Sequence, residues 1–299
     1  MDYIVWVFKS SFRLKVKMKS EKKIEQLVSD AVQGSQTSLE EIIHRIQESV
    51  YSLALRMLFD PKDAEDTAQE ILISVITNLR GYRHEGPFRA WVMRIAINKL
   101  KAVRKSNAEK KMLTIDNLDE IIDRYEAKGW FSKQQDVPLP YLEAETRSVC
   151  THAILLCLNR SHRIAFILGI VMEVSSQEGA QILDITPSAY RKRLSRARLK
   201  VKDFLVKNCG LFNSSNRCQC SSILPAYLQK GWIDPDRPIF ISEKSEGEKQ
   251  VKLGSYMKEM DELKKLSFIY NSIPPSGFDF VDTVKNIYKN KQFRITSDP

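Results

Sequence analysis

Three thiols fall within 12 residues: Cys209, Cys218 and Cys220. Thiolates bind soft metals such as Zn or Cu(I), and an accessible thiolate can also act as a redox sensor. The ligand count limits the metal reading. No His follows His162, so a four-coordinate site needs Asp234, Asp236, a distant Cys or another chain. The plainer reading is three free thiols packed in a small tail. Cys157 sits in an apolar helical run and reads as a small buried hydrophobe. His152 and His162 lack metal-ligand spacing to each other or to a Cys, and read as ordinary helix residues.

Cations supply the second kind of chemistry. Seven Lys or Arg and no acid lie between positions 187 and 202, and six with no acid lie between 89 and 105. In the later block, Arg191, Lys192, Arg193, Ser195 and Arg196 can meet phosphates and base edges. In the earlier block, Arg94 and Lys101 suit phosphates, while Asn98 can make a bidentate hydrogen bond to a base. The plainer reading of the earlier block is a solvated charged face. A purely structural helical hairpin would not need so many unpaired cations in the later one.

The elements that must position these residues read as helices. Leu39, Ile42, Ile43, Ile46, Val50, Leu53, Ala54 and Met57 form one apolar stripe. Asp60-Pro61 interrupts it. A second helix follows, with Asp63, Glu65 and Asp66 near its positive end and Ile71, Leu72, Val75, Ile76 and Leu79 inward. A turn-rich loop spans 80–87. The third helix spans about 88–105, with Phe88, Trp91, Val92, Ile95 and Ala96 inward. Further on, residues 175–200 read as helix, tight turn, helix. Ser176 caps the first helix and Asp184-Ile185-Thr186 makes the turn. Thr186 caps the second, with Pro187 at its first position. Tyr190, Leu194, Ala197, Leu199 and Val201 are available for packing. This arrangement would place a basic helix in a major groove.

Composition sets the outer limits. The chain has 299 residues, which suggests about two domains. At 43% hydrophobic residues it can bury cores. A net charge of +10 points to a polyanionic partner. Five unevenly spread Cys are not a disulfide scaffold. No apolar run approaches the roughly 20 residues of a membrane-spanning helix, so no membrane insertion is expected. Met18 offers as good a translation start as Met1. No P-loop, nucleotide-binding glycine fingerprint, HExxH or paired nucleophile and base occurs, so the expectation is a protein that is not an enzyme.

Two motifs resemble a known family. Residues 51–70 (Tyr51 to Glu70) and the segment Phe88-Arg-Ala-Trp-Val-Met-Arg-Ile-Ala-Ile-Asn98 resemble region two of bacterial RNA polymerase sigma factors of the extracytoplasmic-function (ECF) type. Residues 182–198 resemble their region four, and the two motifs occur in the family's order. The resemblance implies that Asp66, Gln69 and Glu70 bind the polymerase clamp. It implies that the loop before Phe88 captures a base of the promoter −10 element, with Tyr82, Arg83 and His84 as the candidates. Asn98 matches a DNA-contacting position, and Arg94 and Lys101 would be phosphate contacts or core supports. Arg191, Lys192, Arg193, Ser195 and Arg196 would read the −35 element. The stretch with Cys209-Gly-Leu and Cys218-Gln-Cys220 also resembles a tail of some ECF sigma factors.

The expected fold is all-α: two helical domains joined by a flexible linker, with a small helical C-terminal extension. The boundaries are an N-terminal extension at 1–37, region two at 38–106, a linker at 107–145, region four at 146–208 and the cysteine-containing extension at 209–299. Leu263, Leu266, Ile269 and then Phe280, Val284 and Ile287 mark two amphipathic helices in that extension. The implied partners are core RNA polymerase, promoter DNA and an anti-sigma factor. The implied place is the cytoplasm, on the nucleoid when bound to polymerase. No cofactor is required; Zn or Cu at the C-terminal cysteines is an addition. Two rivals stand beside this reading. A polymerase-independent helix-turn-helix regulator leaves residues 63–79 unexplained. A metal sensor or chaperone centred on the cysteines leaves both basic helices unexplained.

Overall fold

The computed structural model describes residues 21–104, 139–216, 218–240, 266, 269–270 and 280–282. Most of the expected linker lies outside these residues, as do Met18, Leu263, Val284 and Ile287. Among the described residues the regular elements are helices, with one isolated bridge between Cys209 and Cys218. They fall into two compact units. One holds residues 21–104, 174–190 and 280–282. The other holds 139–173, 191–216, 218–240, 266 and 269–270.

The first unit begins earlier than the apolar stripe suggested. Helix α1 (Glu21–Val32) buries Ile24, Val28 and Ala31 and packs on α2 (Gln36–Leu58). Ser35 caps α2 by accepting from the Ser38 amide, and Phe59 ends it in the left-handed region at φ 62°. The stripe from Leu39 to Met57 is buried as expected. Helix α3 (Pro61–Thr77) starts where the Asp60-Pro61 pair places it. Asp60 accepts from the Asp63 amide at 2.9 Å, and Pro61 fills the first turn, where no amide hydrogen is needed. Helix α4 (Phe88–Ala102) packs on α3 and α2. It buries Phe88, Val92, Met93, Ala96, Ile97 and Leu100, while Trp91 and Ile95 are half-exposed. The tail also reaches this unit. The Phe280 amide donates to the buried Gln47 side chain at 2.8 Å.

The second unit is built around α5 (Leu139–Leu156). Arg163, on the short α6 (Arg160–Phe166), is buried and donates to the carbonyls of Leu155, Leu156 and Leu158 at 2.9 to 3.0 Å. A guanidinium thus satisfies orphan acceptors at the end of α5 and complements the negative end of its dipole. Helix α9 (Cys220–Gln229) packs on α5 through Ile223, Leu224 and Tyr227. Buried Glu145 of α5 accepts from the amides of Ile239 and Phe240. The extension, at least to residue 240, is therefore part of this core.

Helix α7 (Ser176–Leu183) and the first turn of α8 (Pro187–Asn208) belong to the first unit. Ser175, rather than Ser176, caps α7, since its side chain accepts from the Glu178 amide. Asp184 turns the chain at φ 54°, and Thr186 caps α8 by accepting from the Ala189 amide at 3.2 Å. Tyr190 is fully buried, and a Cβ at Gly179 would collide with its ring. Gly179→Ala is expected to destabilise the protein by about 1–3 kcal/mol through overpacking. Gly81→Ala, which would meet open space, should leave the thermal midpoint unchanged. Equal midpoints in the two variants would contradict this packing.

Candidate nucleic-acid and polymerase interfaces

Helix α8 separates its chemistry by face. Tyr190, Ala197, Val201, Phe204 and Leu205 are buried. Arg191, Lys192, Ser195 and Arg196 are exposed, and Arg193 is half-exposed. Among the described residues none of these four cations has an acid within ion-pair distance. Leu199, expected to pack, is instead 57% exposed on the basic side. His162 of α6 stands near Arg193, Arg196 and Lys200. Burial first, and then those three positive charges, hold its pKa below the usual imidazole value. It therefore adds no charge to this surface at neutral pH.

Helix α4 and the loop before it form the second surface. The loop is shaped by an aromatic cluster. The Tyr82 hydroxyl donates to the Gly86 carbonyl at 2.7 Å. Its ring lies 5.2 Å from Phe88, 5.6 Å from Trp91 and 4.5 Å from His84. Tyr82, expected among the DNA contacts, is buried with its hydroxyl engaged, and as placed it holds the loop. Arg83 and His84 remain exposed, His84 in the left-handed region at φ 57°. On α4, Asn98 and Lys101 are exposed. Arg94, Lys99 and Arg89 have acidic neighbours that the sequence did not announce. Arg94 is 3.7 Å from Asp184, and Lys99 is 2.9 Å from Glu70. Arg89 is half-buried; burial lowers its pKa while nearby Glu178 raises it.

Asp66, Gln69 and Glu70 lie three and four residues apart on α3, and so share one face. Asp66 and Glu70 are exposed and Gln69 is half-exposed, while Ala64, Thr67, Ala68, Ile71 and Leu72 are buried behind them. The acidic face is open to a partner except where Lys99 meets Glu70.

The three tail cysteines come together, and a fourth joins them. Cys150 of α5 lies within electrostatic reach of Cys209, Cys218 and Cys220. Nothing in the local pattern around position 150 signals this, because only the packing of α9 on α5 brings the four together. All five cysteines are free thiols, and Cys157 stands apart beside Arg163. Among the described residues no group of three or more His, Cys, Asp or Glu side chains could hold a metal ion. Among them, too, no helix is long and apolar enough to cross a membrane.

Comparison with known proteins fits the two surfaces. The family model for Sigma-70 region 2 matches residues 42–109, and that for Sigma-70, region 4 matches residues 148–201. The RNA polymerase sigma factor CnrH of Cupriavidus metallidurans is 23% identical over 60% of this chain and 92% of its own length. The ECF RNA polymerase sigma factor SigW of Bacillus subtilis is 26% identical over 58% of this chain and 92% of its own. The ECF factor SigE of Mycolicibacterium smegmatis is 27% identical over 59% of this chain, which spans 65% of that protein. A solved structure of CnrH in complex with the cytosolic domain of CnrY covers 60% of this chain at a TM-score of 0.43 and 20% identity. With both sigma-70 regions present in order, each supplying a helix with an exposed basic face, the chain belongs to the ECF-type sigma factors of bacterial RNA polymerase and serves in transcription initiation.

Proposed function

We propose a division of labour among the three surfaces. The outward face of α8, with Arg191, Lys192, Arg193, Ser195 and Arg196, reads the −35 element. The loop 82–87 and the exposed end of α4 engage the −10 element, with Arg83 and His84 at the captured base and Asn98 and Lys101 beside it. Flipping a base out of its stack costs a few kcal/mol, which a preshaped loop offsets. Tyr82 gives the loop that shape from below. Asp66, Gln69 and Glu70 dock on core polymerase. The chain acts by binding, and no covalent step is asked of its residues. An anti-sigma protein would act by covering one of these surfaces.

The observation that carries the reading is the unneutralised face of α8. Cations that, among the described residues, have no acid within ion-pair distance, on a helix anchored by Tyr190, Ala197 and Val201, have no structural need to be there. Run-off transcription with purified core polymerase tests the whole assignment. Factor-dependent transcripts should share −35 and −10 sequences.

Two kinds of variant separate the surfaces. Arg191→Ala and Arg196→Ala should each weaken promoter binding and reduce the slope of log K against log[salt] by about 0.9 for each phosphate that is no longer neutralised. Core-polymerase affinity should not change. Asp66→Ala should do the reverse, lowering core affinity roughly tenfold, a loss of about 1.4 kcal/mol. Unchanged salt slopes in both arginine variants would remove α8 as the recognition face.

A further inference from the structure

Helix α7 lies within the match to Sigma-70, region 4, yet among the described helices it packs chiefly on α4. The two helices carry opposite charges where they meet. Asp184, at the end of α7, stands 3.7 Å from the Arg94 guanidinium. Glu178, in the first turn of α7, is close enough to act on the half-buried Arg89. With eight residues, α7 is too short to be stable alone. It buries Gly179, Ala180, Ile182 and Leu183, and the buried Tyr190 ring lies against Gly179. Packing therefore holds α7 down. The exposed Arg94–Asp184 pair contributes little stability of its own, but it fixes where on α4 the helix rests.

This packing conflicts with simultaneous reading of two promoter elements. In a helix-turn-helix the first helix, here α7, crosses the DNA backbone beside the recognition helix. Helix α4 is assigned to the −10 element and α8 to the −35 element. Those positions are about 25 base pairs apart, roughly 85 Å of duplex at 3.4 Å per pair. DNA has a persistence length of about 150 base pairs, so a stretch this short does not fold back to bring its ends together. Two helices in contact therefore cannot serve both elements at once. The covalent chain permits them to part. Residues 105–138 number 34, and at full extension that many residues reach roughly 110–120 Å.

We infer that α7 is an intrachain lid on the −10 helix: Glu178 and Asp184 stand at Arg89 and Arg94, where DNA phosphates would otherwise approach, and the lid must lift before both promoter elements are bound. The inference rests on the −10 and −35 assignments proposed above. Carboxylates neutralise the α4 cations as phosphates do, so a polyanion competes with α7 for the same place. Asp184 then has two tasks, turning the chain at φ 54° and holding Arg94. Lifting opens Arg89 and Arg94 to DNA and frees α7 to follow α8 to the −35 element.

The test uses the full chain with Arg94→Lys, which keeps the charge and gives carbodiimide an amine to join to the Asp184 carboxylate. Without polymerase or DNA, this chain should yield a crosslinked peptide pair containing positions 94 and 184. With core polymerase and a promoter duplex bound, the crosslink should fall roughly tenfold. Chain crosslinked beforehand should give about a tenth of the run-off transcript of wild type treated in the same way. A second variant, Asp184→Asn, removes the charge but keeps a residue that tolerates the left-handed turn. It should raise the affinity of the free chain for a single strand carrying the −10 sequence about two- to fivefold, the range of one exposed ion pair. Asp203→Asn removes an equal charge from α8 in the second unit and should leave that affinity unchanged. No crosslink in the free chain would overturn the lid. So would a crosslink retained in the transcribing complex, or equal strand binding by Asp184→Asn and Asp203→Asn. Absence of transcripts from untreated wild type would bring down the promoter assignments themselves, and the lid with them, even where the crosslink forms.

Discussion

A helix that offers unneutralised positive charge to a polyanion also repels itself, and burial on its other side must hold it in place. The magnitudes show why α8 can do this. Like charges three or four residues apart on a helix cost a few tenths of a kcal/mol per pair. Fully burying a large apolar side chain contributes about 1.5–3 kcal/mol. Tyr190, Val201 and Leu205 are all buried, so packing outweighs the repulsion several times over. The helix can therefore leave Arg191, Lys192 and Arg196 with no acid partner among the described residues. Its sharp start, with Thr186 as cap and Pro187 next, fixes which residues point outward.

Helix α4 meets the same constraint differently. Its cations sit beside acids: Lys99 with Glu70, Arg94 with Asp184, and Arg89 near Glu178. The Lys99–Glu70 and Arg94–Asp184 pairs are well exposed and contribute little stability. They still lower the charge that α4 can present. What remains is a shaped loop, two exposed polar groups at Asn98 and Lys101, and an aromatic cluster beneath them. In the proposed −10 role, recognition there would depend more on shape than on bulk charge.

Much of this was legible in the sequence because it rests on local rules. The apolar stripe of α2, the Asp60-Pro61 start of α3 and the turn at Asp184 follow from periodicity and capping alone. So do the exposed cations of α8. The residues that were not legible owe their roles to distant neighbours. Tyr82 has the chemistry of a base contact, but its burial depends on Phe88 and Trp91 packing around it. Met93, Ile97 and Leu100 are buried because α4 packs against both α2 and α3, which widens its apolar face. Arg163 reads as a surface cation, yet three carbonyls at the end of α5 make it a core residue. Cys150 is an isolated thiol in a helix until α9 packs alongside it.

The extension shows how a family boundary can mislead. The match to Sigma-70, region 4 stops at residue 201, so a cut at 208 looks natural. Physically it is not. Removing residues 209–240 would strip Ile223, Leu224 and Tyr227 from α5 and leave the buried Glu145 carboxylate without the two amides that hold it. Phe240 would also leave the buried His152 ring, 4.1 Å away. Taking two donors from a buried carboxylate costs more than a typical surface interaction contributes. Loss of activity on such a truncation would therefore report a damaged core, not a missing regulator. A cut after residue 240 keeps Ile223, Leu224, Tyr227 and Phe240 in place, but it still removes the buried Tyr270 ring 5.0 Å from Phe166 and the Phe280 amide that meets Gln47, so the later tail also belongs to the packing.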